Sequence, residues 1–437
     1  MNPYLLIIAL ASIIILSFFF NVLSKKTNIP SVLMLIGLGM GVKVWMQSQG
    51  IINEDLKLNS ILEVIGNVGL VMIVLEAALD LKLERKKTGL ILKSFVIATL
   101  GIGGSMFALG GFFLYIFPST DFYTALVYAI PLSIMSSAII IPSVGRLIGK
   151  KKEFMVYEST FSDILGIMVF YFMIGADGGA GGGSIFWEIG LNILGTIILS
   201  VIVAYIMVYL FQHLQMQVKL FLIIGILLLL FAIGKYFHLS SLLLILAFGL
   251  VLNNTEVFFQ GRLKKIFDAE KVKPILHDFH TLTLESAFLV RTFFFVIFGL
   301  SISISSLYNF EVAVNSFAIV AILYLIRFIL LRVFAKEYMF PEVLIAPRGL
   351  ITVLLFFVLM KNDSFQIEKF DTGLLLYPIL ITSIIMMIAL IAYRGENVKD
   401  VLLQNVPLLK NKKAKLSDED FENRQEQNTE GQDFDGF

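Results

Sequence analysis

Two carboxylates, Glu158 and Asp163, lie five residues apart at the head of an apolar segment that continues to about residue 174. Hydroxyl side chains separate them, and the rest of the segment is built for lipid or for the interior of a membrane protein. A charged side chain near the middle of a bilayer costs several kcal/mol, so those that occur there mark functional sites by default. Asp163, the deeper of the two, is therefore the first candidate for binding an ion or a proton.

The composition indicates a membrane protein rather than a soluble enzyme. Of the 437 residues, 58% are hydrophobic and 15% are charged, against about 45–50% and 25% in soluble domains. There is no cysteine, which excludes disulfides and thiolate metal sites. The four histidines fall in loops or at the edges of apolar runs. We therefore predict no catalytic residues, no bound metal, no cofactor and no nucleic-acid partner.

Apolar runs of about the length that a bilayer requires recur along the chain and predict an all-α polytopic membrane protein. About 13 transmembrane helices are expected, near residues 3–23, 29–46, 61–80, 90–114, 122–146, 154–174, 185–210, 218–234, 239–253, 285–306, 312–334, 339–360 and 373–393. The transmembrane domain thus covers residues 1–393. The polar, acidic residues 394–437 are predicted to be a disordered cytoplasmic tail.

Basic residues orient this set, because cytoplasmic loops are enriched in lysine and arginine. One family of alternate loops contains most of the basic residues, among them the runs 25–26, 85–87, 150–152 and 264–265. The other family contains only Lys43, Lys57, Lys235, Lys361 and Lys369. This asymmetry predicts a multi-pass protein of the cell inner (plasma) membrane, with its N-terminus outside and its C-terminus in the cytoplasm.

The two halves of the chain look alike. We predict two six-helix repeats, at about 1–174 and 218–393, joined by a linker helix at 185–210. Pro131 and Pro142 interrupt the fifth span, and Pro341 and Pro347 interrupt the twelfth, its counterpart in the second half. Because corresponding spans of the two repeats are seven spans apart, an odd number, the repeats have inverted orientations. Interrupted helices at matching positions of inverted repeats indicate a transport site. The interrupted helices are expected to cross near the midplane.

Unusual polar residues converge on one layer of this arrangement. Counted from the cytoplasmic end of each span at about 1.5 Å per residue, they lie roughly 10–15 Å deep. They are Asp163, Ser136, Ser137, Arg291 and Arg348. Arg348 keeps its proton and needs a partner, for which Glu158 is the leading candidate. Glu158 and Arg348 then form a supporting ion pair.

Asp163 is left to exchange a proton for a cation. A hard monovalent ion, Na⁺ or K⁺, prefers oxygen ligands, and the hydroxyls of Ser162, Ser136 and Ser137 could complete its shell. Arg291 is expected to be a structural charge that pairs with a carboxylate or a helix end, and Arg327 to extend toward the membrane surface. Glu76 and Asp80, one helical turn apart, are expected to form a salt bridge with Lys82 or Arg146.

Four segments resemble the monovalent cation:proton antiporter superfamily, on its sodium/proton exchanger branch. They are PSVLMLIGLGMG at 30–41, LEAALDL at 75–81, ESTFSD at 158–163 and PRGL at 347–350. The resemblance covers about residues 1–393. It implies a core domain that moves like an elevator against a dimerisation domain, a homodimer in lipid, competition of cation and proton for Asp163, and Glu158 with Arg348 as the supporting pair.

The chain departs from this family at two places. Ser162 precedes the critical Asp163 where exchangers usually carry Asn, and SSAIIIP at 136–142 replaces the Thr-Asp-Pro signature of the fifth span. Both changes bear on the choice of ion. The function expected from the sequence is cation/proton antiport that contributes to pH homeostasis. The alternatives are an ion-coupled symporter of a small solute and a cation channel, whose polar layer would line an open pore.

Overall fold

A computed structural model of the chain shows an all-helical membrane protein. It describes residues 3–27, 29–49, 59–81, 85–147, 149–176, 195, 198–206, 209, 219–236, 241–254, 269–302, 309–360, 362, 364–367, 370–371 and 373–393. The predicted tail, most of the predicted linker helix at 185–210 and all of residues 255–268 lie outside these residues.

The helices follow the apolar runs. In chain order they are α1 (Pro3–Thr27), α2 (Ser31–Ser48), α3 (Asn59–Asp80), α4 (Thr88–Ile116), α5 (Phe122–Ser133), α6 (Ser137–Ser143), α7 (Lys150–Ala176), α8 (Lys219–Tyr236), α9 (Ser241–Asn253), α10 (Ala269–Ser301), α11 (Phe310–Phe334), α12 (Leu350–Met360) and α13 (Gly373–Ala392). Within the described residues, eight segments are long and apolar enough to cross a membrane, and α9 and α12 are shorter apolar helices. The polytopic all-α fold is confirmed, whereas the number of spans and the inverted repeat stay predictions.

The helices pack as two groups. Helices α4–α7 and α11–α13 contact one another and form what we call the crossing bundle. Helices α1–α3 and α8–α10 form the flanking group, in which α10 packs along both α2 and α3. The groups meet where α3 contacts α7 and α12 and where α9 contacts α7. Each group therefore combines helices from both halves of the chain.

The crossing bundle is built around two interrupted helices. Helix α5 ends at Ser133, the chain is extended at residues 134–136, and α6 continues from Ser137. Residues 345–349 form a second non-helical stretch before α12. The two stretches touch, because the Ser136 N–H donates to the Pro347 carbonyl over 2.9 Å. The crossing of interrupted helices is thus observed, at residues that the proline positions indicated.

Glycine residues allow a close contact between two helices of the flanking group. In the flanking group, a Cβ added to Gly39 of α2 would collide with the Val296 carbonyl oxygen, and one added to Gly299 of α10 with the Ile36 carbonyl oxygen. The two backbones therefore approach each other directly, as glycine permits between membrane helices. This contact fixes α10 against α2.

Replacing Gly39 with alanine should destabilise the protein by about 1–3 kcal/mol, because α2 and α10 must separate to admit the methyl group. The expected observation is a lower midpoint of thermal unfolding in detergent. Gly41→Ala is the matched control, since a Cβ at Gly41 meets nothing within 4 Å. Alanine in a helix is favoured over glycine by up to about 1 kcal/mol, so this control should be neutral or stabilising. Equal effects of the two substitutions would contradict the proposed contact.

Candidate functional site

Helix α7 carries both carboxylates, but it directs them to different surroundings. Five residues of an α-helix correspond to a rotation of about 140°, so Glu158 and Asp163 cannot share a face. Both side chains are buried, Glu158 with 1% and Asp163 with 3% of its surface exposed. A Cβ at Gly166 would collide with the Ile134 side chain, so α7 lies directly against the interruption between α5 and α6. The separate roles expected for the two carboxylates therefore have a geometric basis.

The Asp163 carboxylate contacts the first residue of α6. Its Oδ2 accepts hydrogen bonds from the Ser137 N–H, over 3.1 Å, and from the Ser137 hydroxyl. Its Oδ1 is buried and has no hydrogen-bond partner among the residues that the structure describes. Among the side chains that the structure describes, none with a basic group lies within ion-pair distance of Asp163. One carboxylate oxygen is thus fixed, and the other is available to a proton or a cation.

Two further predicted ligands, Ser162 and Ser136, lie at the same interruption. The Ser162 hydroxyl accepts a hydrogen bond from the Met135 N–H over 2.9 Å. The Ser136 side chain faces Gly349, where an added Cβ would lie 2.6 Å from its Oγ. The structure therefore brings Asp163, Ser162, Ser136 and Ser137 to one place, although only Ser137 touches the carboxylate.

Arg348 does not form the predicted ion pair with Glu158. Its guanidinium donates to the Leu132 carbonyl over 2.7 Å through Nε and to the Ala346 carbonyl over 2.6 Å through Nη1. The physical reason is the end of α5: the Leu132 carbonyl would normally accept from the Ser136 N–H, which donates to Pro347 instead. A guanidinium satisfies such a carbonyl and also opposes the negative end of the helix.

Glu158 pairs instead with Arg327 of α11. The prediction that Arg327 extends toward the membrane surface is therefore also wrong. The Arg327 Nη1 and Nη2 atoms reach the two Glu158 oxygens over 2.7 and 3.1 Å, a bidentate pair. Arg327 also donates twice to the Glu342 carbonyl, over 3.1 and 2.8 Å, and is only 7% exposed. The depth count could have found it: Arg327 lies seven residues from the end of α11, as deep as Arg291 in its own span.

A small polar cavity lies beside this pair. Its volume is about 30 Å³, and its polar lining consists of Glu158, Arg327, Arg348 and the serines 105, 133 and 162. A cavity of this size can hold a water molecule or a single small ion. It is far below the several hundred Å³ of a typical site for an organic ligand.

A second ion pair lies at the boundary between the two helix groups. Arg291 of α10 contacts both oxygens of Glu76 of α3, over 3.2 and 3.4 Å, and donates to the Ala138 carbonyl of α6 over 3.3 Å. Asp80 of α3 contacts His280 over 2.8 Å. Both partners belong to α10, the helix that packs along α3. Lys82 and the side chain of Arg146, with which Glu76 or Asp80 was expected to form a salt bridge, lie outside the described part of the structure.

Comparisons with known proteins identify the family and the fold. The family model described as sodium/hydrogen exchanger, transmembrane, matches residues 9–392. The structure resembles that of the sodium proton antiporter MjNhaP1 from Methanocaldococcus jannaschii at pH 8, with a TM-score of 0.66 at 20% sequence identity, over 90% of this chain and 99% of that one.

An electron-microscopy structure of the same antiporter gives a TM-score of 0.65 at 18% identity, over 90% of this chain and 95% of that one. None of the curated proteins compared with the chain matches it. The structural likeness shows the fold, and the family model covers nearly all of the helical part. The chain belongs to the transmembrane sodium/hydrogen exchanger family.

Proposed function

We propose that this protein exchanges a monovalent cation, Na⁺ or K⁺, for protons, and that the two compete for Asp163. The observation that carries the proposal is the state of this carboxylate. It is buried, one oxygen is held by Ser137, and the other has no hydrogen-bond partner within the described part of the chain. Desolvation without a basic neighbour strongly disfavours the ionised form, so a proton or a cation has to neutralise it.

Charge conservation supports an exchange of one cation for one proton. In the crossing bundle, Glu158 and Arg327 neutralise each other. Asp163 carries the same net charge with a proton as with a bound monovalent cation. Both loaded forms therefore face the same electrostatic barrier to movement, which is what an exchanger without net charge transfer requires.

The division into two helix groups supports alternating access. The crossing bundle holds Asp163 and both interruptions, so it would move as a unit against the flanking group. We infer a homodimer in the plasma membrane, with the N-terminus outside. The name of the similar antiporter favours Na⁺, whereas hydroxyl and carboxylate ligands suit K⁺ equally. The cavity of about 30 Å³ beside Ser162 has room for a single small ion but not for an organic solute.

Replacing Asp163 with asparagine should abolish exchange, because an amide neither takes up the proton nor neutralises the cation. The measurement is proton movement in proteoliposomes that contain a pH-sensitive dye, after addition of Na⁺, K⁺ or Li⁺ in turn. Asp121→Asn is the control, since Asp121 caps α5 from an exposed loop. If folded Asp163→Asn protein moved protons as well as the unsubstituted protein, Asp163 would not be the exchanging group.

Replacing Arg327 with glutamine should lower stability by about 3–5 kcal/mol, because Glu158 would then be a buried charge without a partner. The double substitution Glu158→Gln with Arg327→Gln should recover most of this loss. Thermal unfolding in detergent measures both. Arg332→Gln, at an exposed position of the same helix, is the control. Full stability of the single Arg327→Gln variant would contradict a structural role for the pair.

A further inference from the structure

The Glu76–Arg291 pair occupies the boundary between the two helix groups. Both residues belong to the flanking group, and each is 15% exposed. Through its other nitrogen, Arg291 reaches the Ala138 carbonyl of the crossing bundle. One guanidinium therefore contacts a carboxylate of one group and the backbone of the other.

This contact lies next to the proposed ion site. Ala138 directly follows Ser137, whose N–H and hydroxyl hold Asp163. Glu76 is also close enough to Asp163 for the two carboxylates to interact electrostatically. The boundary thus brings two acidic groups together from opposite sides, and among the described side chains only Glu76 has a basic partner.

The pair lies at a cavity that is open to the surface of the protein. Glu76 and Arg291 line an open cavity of about 440 Å³ between α1, α3 and α10. Its other polar residues are Asn21 and Glu285. Asp80 of α3 and His280 of α10 also lie between these two helices, but they contact each other. Among the described side chains of this region, Arg291 is thus the one basic group that contacts Glu76.

We propose that Arg291 is a positioning residue that neutralises Glu76 and leaves Asp163 as the single uncompensated carboxylate at the boundary, which sets the cation affinity of the exchanger. The inference rests on the proposed function. Without the guanidinium, a second negative charge beside Asp163 would hold the cation more tightly and slow its release. Without Glu76, the guanidinium would repel the cation.

This reasoning predicts opposite effects of two substitutions on the cation concentration that gives half-maximal exchange. Arg291→Gln should lower that concentration on the order of tenfold and reduce the maximal rate as well. Glu76→Gln should raise it by a similar factor. The double substitution should return it to within about threefold of the original value, because the two charge changes cancel. The proteoliposome assay measures each variant over a range of Na⁺ and K⁺ concentrations.

Two controls separate charge from structure. Arg291→Lys keeps the charge and should retain the original half-maximal concentration even if the maximal rate falls. Glu285→Gln removes an exposed carboxylate from the cavity that Glu76 and Arg291 line, and it should change the half-maximal concentration less than threefold. If Arg291→Gln does not fold, Glu76→Gln and the double variant still test the proposal.

Three results would overturn the inference. The half-maximal cation concentration could stay unchanged in both single variants, it could shift in the same direction in both, or it could be as high in the double variant as in Glu76→Gln. The last would make Glu76 itself a ligand of the cation. These results differ from failure of the proposed function, in which the unsubstituted protein would show no cation-dependent proton movement, or Asp163→Asn would leave it intact.

Discussion

The structure depends on how a helix can be interrupted inside an apolar bundle. An interruption leaves backbone N–H and C=O groups without partners, and lipid offers none. Between α5 and α6, the N–H groups of Met135, Ser136 and Ser137 donate to the Ser162 hydroxyl, the Pro347 carbonyl and the Asp163 carboxylate. The Thr352 hydroxyl and the Arg348 guanidinium donate to the freed carbonyls of residues 131 and 132. Every one of these partners comes from α7 or from the second interrupted segment.

The same constraint explains the charges of the site. Arg348 lies at the C-terminal end of α5 and Asp163 at the N-terminal end of α6, each opposite in sign to the helix end that it contacts. Lys43, 1% exposed, likewise donates to the Ile302 carbonyl at the end of α10. The carboxylate proposed to exchange ions is therefore also the group that completes the interruption.

The composition, the proline positions and the depth count predicted much of this arrangement. The helices α1–α4 and α13 follow the apolar runs, and Asp163, Ser162, Ser136 and Ser137 meet at the predicted interruption. The partners of the buried arginines were predicted less well. The predicted pair of Arg348 with Glu158 takes account only of side-chain acceptors, whereas the interruption itself supplies backbone carbonyl acceptors for the guanidinium. Arg327 was overlooked because a long side chain in a membrane helix can equally extend to the surface.

The sequence by itself determined that the chain is a helical membrane protein, which helices are interrupted and that Asp163 lies deep among apolar residues, because all three follow from local composition and spacing. Only the tertiary structure decided which charges meet. Glu158 and Arg327 are 169 residues apart, and Glu76 and Arg291 are 215 apart. Their pairing depends on helix rotation and on which helices pack together, and no local pattern encodes either. Among the carboxylates that the structure describes as buried, Asp163 is distinguished by this packing, which brings a basic side chain to Glu158 and Glu342 but none within ion-pair distance of Asp163.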